Sequence, residues 1–171
     1  WVAALGHLYS PNPERGVFKT TDGGKTWKKT LFISDDAGVV DLVMDPINPD
    51  ILYAAGWERE RRAWNFKGNG EGSGIFKSTD GGETWARITT GTNSFPHDAG
   101  VGRIGLDISR QNPNKIYALL DNQNLREAEE QEDEVTKDIL RRITKEEFLK
   151  ITDKDLNDYM DRQDFPARYN A

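Results

Sequence analysis

The densest grouping of residues with chemical potential is the segment Gly56-Trp-Glu-Arg-Glu-Arg-Arg-Ala-Trp-Asn-Phe-Lys-Gly-Asn-Gly-Glu-Gly-Ser73. It places Trp57, Trp64 and Phe66 among Arg59, Arg61 and Arg62. Aromatic rings can stack on a sugar or a cation, and guanidinium forks pair with carboxylates through parallel hydrogen bonds. These six residues form a candidate ligand-binding loop, expected to be mobile, for a peptide, a protein or a glycan. The competing reading is a loop whose Trp residues pack on neighbouring structure while its charges stay solvated.

Cleavage of a glycosidic bond would need positioned carboxylates, or a tyrosine nucleophile with a Glu partner, together with an acid. Glu58 or Glu60 could be assembled with Arg59, Arg61, Arg62 and Arg103, but no spacing forces them together. No catalytic residue is therefore assigned. His97 and Asp98 could form a dyad, yet no nucleophile is placed beside them. His7 reads as a hydrogen-bonded structural residue, and Arg103 as one half of an ion pair. Asp35, Asp36, Asp45, Asp50, Asp121 and Asn122 could offer oxygen ligands to calcium, but none has the Asp-x-Asp-x-Asp-Gly spacing of a dedicated loop. With no Cys, thiolate zinc sites are excluded, and with two His, His7 and His97, a multi-histidine zinc site is not expected. Neither a metal nor a cofactor is expected.

The elements that must position these residues come from a repeat. Gly16-Val-Phe-Lys-Thr-Thr-Asp-Gly-Gly-Lys-Thr-Trp27 aligns without gaps to Gly74-Ile-Phe-Lys-Ser-Thr-Asp-Gly-Gly-Glu-Thr-Trp85. Each copy is followed by an alternating apolar run, an Asn-Pro turn and a second run ending in Ile-Leu-Tyr53 or Lys-Ile-Tyr117. Short alternating runs bounded by Gly, Asn, Pro and Asp read as strands joined by hairpins. About four strands fall in each unit, which is the content of one propeller blade.

The shared turn follows the pattern Ser/Thr-x-Asp-x-Gly-x-Thr-Trp: Thr20, Asp22, Gly24, Thr26 and Trp27 in one copy, Ser78, Asp80, Gly82, Thr84 and Trp85 in the other. A short Asp side chain accepts backbone N–H groups a residue or two ahead and closes the turn. Glycine supplies positive φ, threonine suits the departing strand, and tryptophan offers a large apolar surface to the next layer. Every residue of the pattern is thereby given a structural task.

These residues resemble the BNR or Asp-box propellers and, within them, the sortilin/VPS10-like repeat proteins that bacteria export. The resemblance covers residues 1 to about 122. It implies a mainly β fold: a partial β-propeller of about two to three four-stranded antiparallel blades with Asp-box hairpins, followed by a small helical C-terminal extension. It also implies export to the periplasm, cell surface or medium, and boxes at the blade periphery, away from any active site. Sialidases share the box, so a part of a sialidase-like glycoside hydrolase is the alternative to a binding or scaffolding segment. No arginine motif of sialidases precedes the boxes. Two boxes are too few to close a ring, and open blade edges are adhesive. The chain is therefore expected to meet further blades or another copy of itself.

Charge and composition set the remaining limits. Charged residues make up 30% of the chain and no run approaches the roughly 20 apolar residues of a membrane-spanning helix. The net charge of −6 resides mostly in the tail, where 14 acids face 9 bases from residue 125 onward. No basic stripe exists for a phosphate backbone, so nucleic acid is not an expected partner. The segment opens at Trp1 without a basic and apolar leader, and its compartment is not legible there. Residues 1–122 are assigned to propeller blades, 123–134 to an acidic linker and 135–171 to the helical extension. In the last, Val135, Ile139, Leu140 and Ile143 share a helical face. Thr144 with Glu147 reads as a capping box, and Thr152 as a further N-cap. The helices are expected to dock on the blades or to cover an edge.

Overall fold

Alternation of apolar and polar residues becomes a series of antiparallel sheets in the computed structural model, which describes residues 1–124, 135–166 and 168–170. The first sheet holds β1 (Val2–Ala4), β2 (Gly16–Lys19) and β3 (Lys28–Leu31) in that order. The second is built from β4 (Ala37–Met44) and β5 (Leu52–Glu58), continued after a small hairpin, β6 (Glu60–Arg61) and β7 (Phe66–Lys67), by β8 (Gly74–Ser78) and β9 (Ala86–Arg87). Its strand order is β4-β5-β8-β9. The third pairs β10 (Val101–Ile108) with β11 (Ile116–Asn122). A mainly β chain with sheets of two to four strands is consistent with partial propeller blades.

The repeat in sequence is a repeat in register. Gly16 pairs with Ala4, and Gly74 with Gly56. The superposed positions make Trp1 the counterpart of Tyr53, and Val17 that of Ile75. Because side chains alternate along a strand, β5 and β8 send residues to both faces of the second sheet. Ala54 and Phe76 join Val39 and, from the first sheet, Val17 and Leu31 in one buried cluster. Tyr53, Ala55 and Ile75 join Val101 and Ile104 of the third sheet in another. The second sheet is thus packed on both faces. Each buried Val, Leu or Ile in these layers contributes about 1.5–3 kcal/mol.

Polar groups fasten the layers. The register slips between Val39 and Asp41 in β4, and the Asp41 carboxylate accepts the Leu106 N–H of the third sheet at 2.8 Å. The two Asn-Pro segments make the same turn twice. Asn48 accepts Ile51 N–H through its carbonyl at 3.1 Å and Asp50 N–H through its side chain at 3.1 Å. Asn112 does so with Lys115 at 2.9 Å and Asn114 at 3.2 Å. Proline at the next position fixes the φ that such a turn requires.

The chain divides into two units, Trp1–Leu125 and Arg126–Ala171. In the second, α1 (Lys137–Arg142), α2 (Lys145–Phe148) and α3 (Asp153–Arg162) each begin at a threonine N-cap. Thr136, Thr144 and Thr152 accept the N–H groups of Ile139, Glu147 and Asp155, and Glu147 returns the bond to complete a capping box. The expected acidic linker lies, from residue 125 to 134, outside the described residues. No helix among the described residues is long and apolar enough to cross a membrane.

Candidate functional site

In the first box Asp22 accepts Thr26 N–H at 2.9 Å and the Thr26 hydroxyl at 2.6 Å, while the Thr20 hydroxyl donates to it at 2.8 Å. The second repeats this. Asp80 accepts Glu83 and Thr84 N–H at 3.0 and 2.9 Å, and the hydroxyls of Thr84 and Ser78 at 2.5 and 2.7 Å. The carboxylate reaches three and four residues ahead, not one or two, because the glycine pair carries the chain out and back around it. Gly23, Gly24, Gly81 and Gly82 all have φ between 69° and 89°. The Thr20 and Ser78 hydroxyls accept Gly24 and Gly82 N–H at 2.9 and 2.8 Å.

Hydrogen bonds to the ionised form, first of all from the Thr26 side chain, hold the Asp22 carboxyl down at about 2. The Thr84 hydroxyl and N–H hold that of Asp80 lower still. Carboxylates so engaged serve the turn and are poorly suited to accept a proton from a substrate.

The second box is also an interface. Trp1 donates its indole N–H to the Gly81 carbonyl at 3.0 Å, and Trp85 donates to the Thr30 hydroxyl at 3.2 Å. Lys19 and Lys28 both pair with Glu83, at 2.6 and 2.7 Å, and lower its pKa. The two tryptophans of the repeat therefore differ. Trp85 packs against the cluster between the first and second sheets, whereas Trp27 is 46% exposed and donates to its own turn at Gly24, 3.1 Å away.

The aromatic and arginine segment is more ordered than a loop. Gly56, Trp57 and Glu58 continue β5, so the insertion begins at Arg59, and its middle forms the β6–β7 hairpin. Trp57 is used by the protein itself. Its indole donates to the Gly68 carbonyl at 2.7 Å, Phe66 meets it edge-on at 6.1 Å, and the guanidiniums of Arg59 and Arg103 lie 5.8 and 5.7 Å over its ring. Arg59 is buried, at 8% exposure, where a ligand-facing side chain was expected. Its N–H donates to the Asp36 carbonyl at 3.2 Å and its side chain to the His7 carbonyl at 3.4 Å. At the hairpin surface Arg62 pairs with Glu60 at 2.5 Å, and Arg61 lies 5.5 Å over the ring of Phe66. Trp64 is 81% exposed and Phe66 48%.

Other candidates take structural parts. Asp98 accepts Gly100 N–H and the Asn124 amide, both at 2.9 Å. Arg103 stacks on Trp57 and makes no ion pair among those of the described residues. Asp45 accepts Ile47 and Asn48 N–H at 2.8 and 3.0 Å in the Asn-Pro turn. Among the described residues no group of three or more His, Asp or Glu side chains could hold a metal ion.

A residue that sequence reasoning passed over is the most buried charge of the first unit. Arg15, at 1% exposure, donates to the carbonyls of Asp36, of Arg59 at 3.4 Å and of Ser10 at 3.2 Å. Its one signal was its place, directly before Gly16, where the second repeat has Ser73 before Gly74.

The family model described as BNR/Asp-box repeat matches residues 18–29 and 76–87. The chain thus carries two BNR/Asp-box repeats, and they coincide with the two turns built on Asp22 and Asp80. Neither a curated protein nor a solved structure matches the chain.

Proposed function

We propose that the chain is a non-catalytic binding or scaffolding segment of an exported, sortilin/VPS10-like propeller, and that it grips a peptide, protein or glycan at the β6–β7 hairpin. The supporting observation is Trp64, 81% exposed in the turn of the hairpin whose strands carry Arg61 and Phe66. An indole held in water on an ordered hairpin costs solvation free energy that a ligand's apolar face recovers. The Asp boxes are consumed in making turns, so function falls to the segments between them. Further blades or a second copy of the chain complete the assembly in this reading.

Binding of the full chain to arrayed oligosaccharides and arrayed synthetic peptides tests it. Retention on one of the two classes, lost in Trp64→Ala with the fold intact, is the expected result. Equal retention by the variant would overturn the assignment of the hairpin.

A second reading rests on a different observation. Asp36, Glu58 and Glu60 line one cavity of about 210 Å³, and carboxylates in a shared cavity are what a glycoside hydrolase needs. Glu58 is however held by Gly72 N–H at 2.9 Å and by Lys67 at 3.6 Å, and Glu60 by Arg62. Hydrolysis of an aryl glycoside by the protein, abolished in Glu58→Gln or Glu60→Gln, would establish this reading and remove the first.

A further inference from the structure

Three strands hold the same place in the repeat: β1, β5 and β11. Register sets the match of the last two, since Ala54 pairs with Leu42 and Ala118 with Leu106 across their hairpins. Two of the three are followed along the sheet by a strand of the Asp-box type. Gly-Val-Phe-Lys19 runs antiparallel beside β1 and Gly-Ile-Phe-Lys77 beside β5, with Phe18 opposite Val2 and Phe76 opposite Ala54. Among the described residues β11 pairs with β10 alone.

Burial and aromatic contacts both mark the unfilled place. Ala54 is fully buried in the cluster that Phe76 joins, whereas its counterpart Ala118 is exposed. Leu106, opposite Ala118, packs on the cluster between the second and third sheets, so the exposure of Ala118 comes from the open edge of β11 and not from a bare face. In both completed pairs the lysine of the Asp-box strand lies over the ring opposite it. Lys19 Nζ is 5.7 Å from the centroid of Trp1, and Lys77 Nζ 5.4 Å from that of Tyr53. Tyr117, the counterpart of Tyr53, is 62% exposed and has no cation over its ring among the described residues. The run from Ile116 to Leu120 carries neither charge nor proline, the devices that keep an edge strand from accepting another.

We infer that the outer edge of β11 is a docking site for a strand of the Asp-box type, Gly-(Val/Ile)-Phe-Lys, supplied by a further repeat, with its Phe opposite Ala118 and its Lys over Tyr117. A second folded copy of the chain has no such strand to give, because β2 is held between β1 and β3, and β8 between β5 and β9. Main-chain hydrogen bonds along the edge supply affinity, and the lysine–ring contact adds selectivity. Register is fixed because a slip of one residue would send Phe and Lys to the wrong faces. The inference rests on reading the chain as a segment completed by further repeats, and it is independent of ligand binding at Trp64.

The test is an NMR titration of the full chain with a synthetic peptide of the sequence of residues 74–87, one Asp-box hairpin. Saturable amide shifts at Ile116 to Leu120 are expected, with nuclear Overhauser contacts between the peptide's Phe and Ala118. Lys77→Ala in the peptide and Tyr117→Ala in the chain should each weaken binding about threefold, the worth of one exposed cation–π contact. Together they should weaken it no more than either alone, because both remove the same contact. Trp64→Ala should bind the peptide as the parent does, so the hairpin reading and this one fail separately. Absence of shifts at β11 would overturn the proposal, and the unsubstituted chain decides this even if Tyr117→Ala fails to fold. Self-association that shifts the β11 amides without any response to the peptide would assign the edge to a second copy and overturn it as well.

Discussion

The indole N–H of Trp1 donates to the carbonyl of Gly81 at 3.0 Å, joining the first sheet to the turn of the second Asp box across 80 residues of sequence. The second box is thereby fixed between two sheets, whereas Trp27 of the first donates its indole N–H to Gly24 of its own turn. Two turns of nearly identical sequence thus have different energetic weight. Truncating Trp85, which packs on the cluster between the sheets, should cost about 2–4 kcal/mol, and truncating the half-exposed Trp27 about 1 kcal/mol or less. Urea unfolding of Trp85→Ala and Trp27→Ala gives the comparison. Equal losses would mean that the box stabilises only its own hairpin.

The same asymmetry should appear at the glycines. Gly23 and Gly82 both have φ near +75°, which any L-side chain resists, so alanine at either should cost about 1–2 kcal/mol. A Cβ on Gly23 meets nothing within 4 Å, but one on Gly82 would sit 2.5 Å from Trp1 Nε1. Gly82→Ala should therefore exceed Gly23→Ala by about 1 kcal/mol or more. In the double variant with Trp1→Ala that excess should vanish, since the obstructing ring is gone. Additive losses in the double-mutant cycle would place the strain elsewhere.

The Asp boxes also set an acid limit. Asp22 titrates at about 2 in the folded protein, below the ordinary aspartate value of about 3.9. A carboxyl depressed by folding contributes stability that is complete above the unfolded value and is lost as pH falls through the folded one. The stability gap between the parent and Asp22→Asn should hold above about pH 4, shrink between pH 4 and 2, and close below that. For Asp80 the depression is deeper, and the gap to Asp80→Asn should persist to lower pH. Urea midpoints measured across this range provide the check. A gap independent of pH would show that the hydrogen bonds do not prefer the ionised carboxylate.

Why the boxes were legible and the arginine cluster was not follows from the range of their interactions. Every bond that closes the turn at Asp22 lies within four residues, so its residue types appear together in the sequence. The strands were legible as short apolar runs bounded by Gly, Asn, Pro and Asp, a signal that survives even in β5 and β8, where both faces are buried. The β6–β7 hairpin was not, since strands of two residues are too short to show a period. Arg15 is bonded to carbonyls 5, 21 and 44 residues away. A backbone carbonyl has no residue type, so nothing in the sequence marks it as a partner. Trp57 and Trp64 fell into one candidate loop for a related reason: seven residues apart, they share a composition, but Trp57 belongs to β5 and Trp64 to the exposed turn between β6 and β7.

That distinction gives the last prediction. Trp57 is bonded to Gly68 and flanked by Phe66, Arg59 and Arg103, so its loss removes packing and unseats three neighbours. Trp57→Ala should cost about 3 kcal/mol or more. Trp64, 81% exposed, touches little, and its replacement should change stability by no more than about 0.5 kcal/mol. Fluorescence adds an independent reading, because an exposed indole emits to the red. Trp64→Ala should shift the mean emission to the blue and reduce quenching by iodide, while Trp57→Ala should do neither until the protein unfolds. If Trp64→Ala instead destabilises the chain as Trp57→Ala does, the ring is packed in solution, and the hairpin presents no aromatic surface to a ligand.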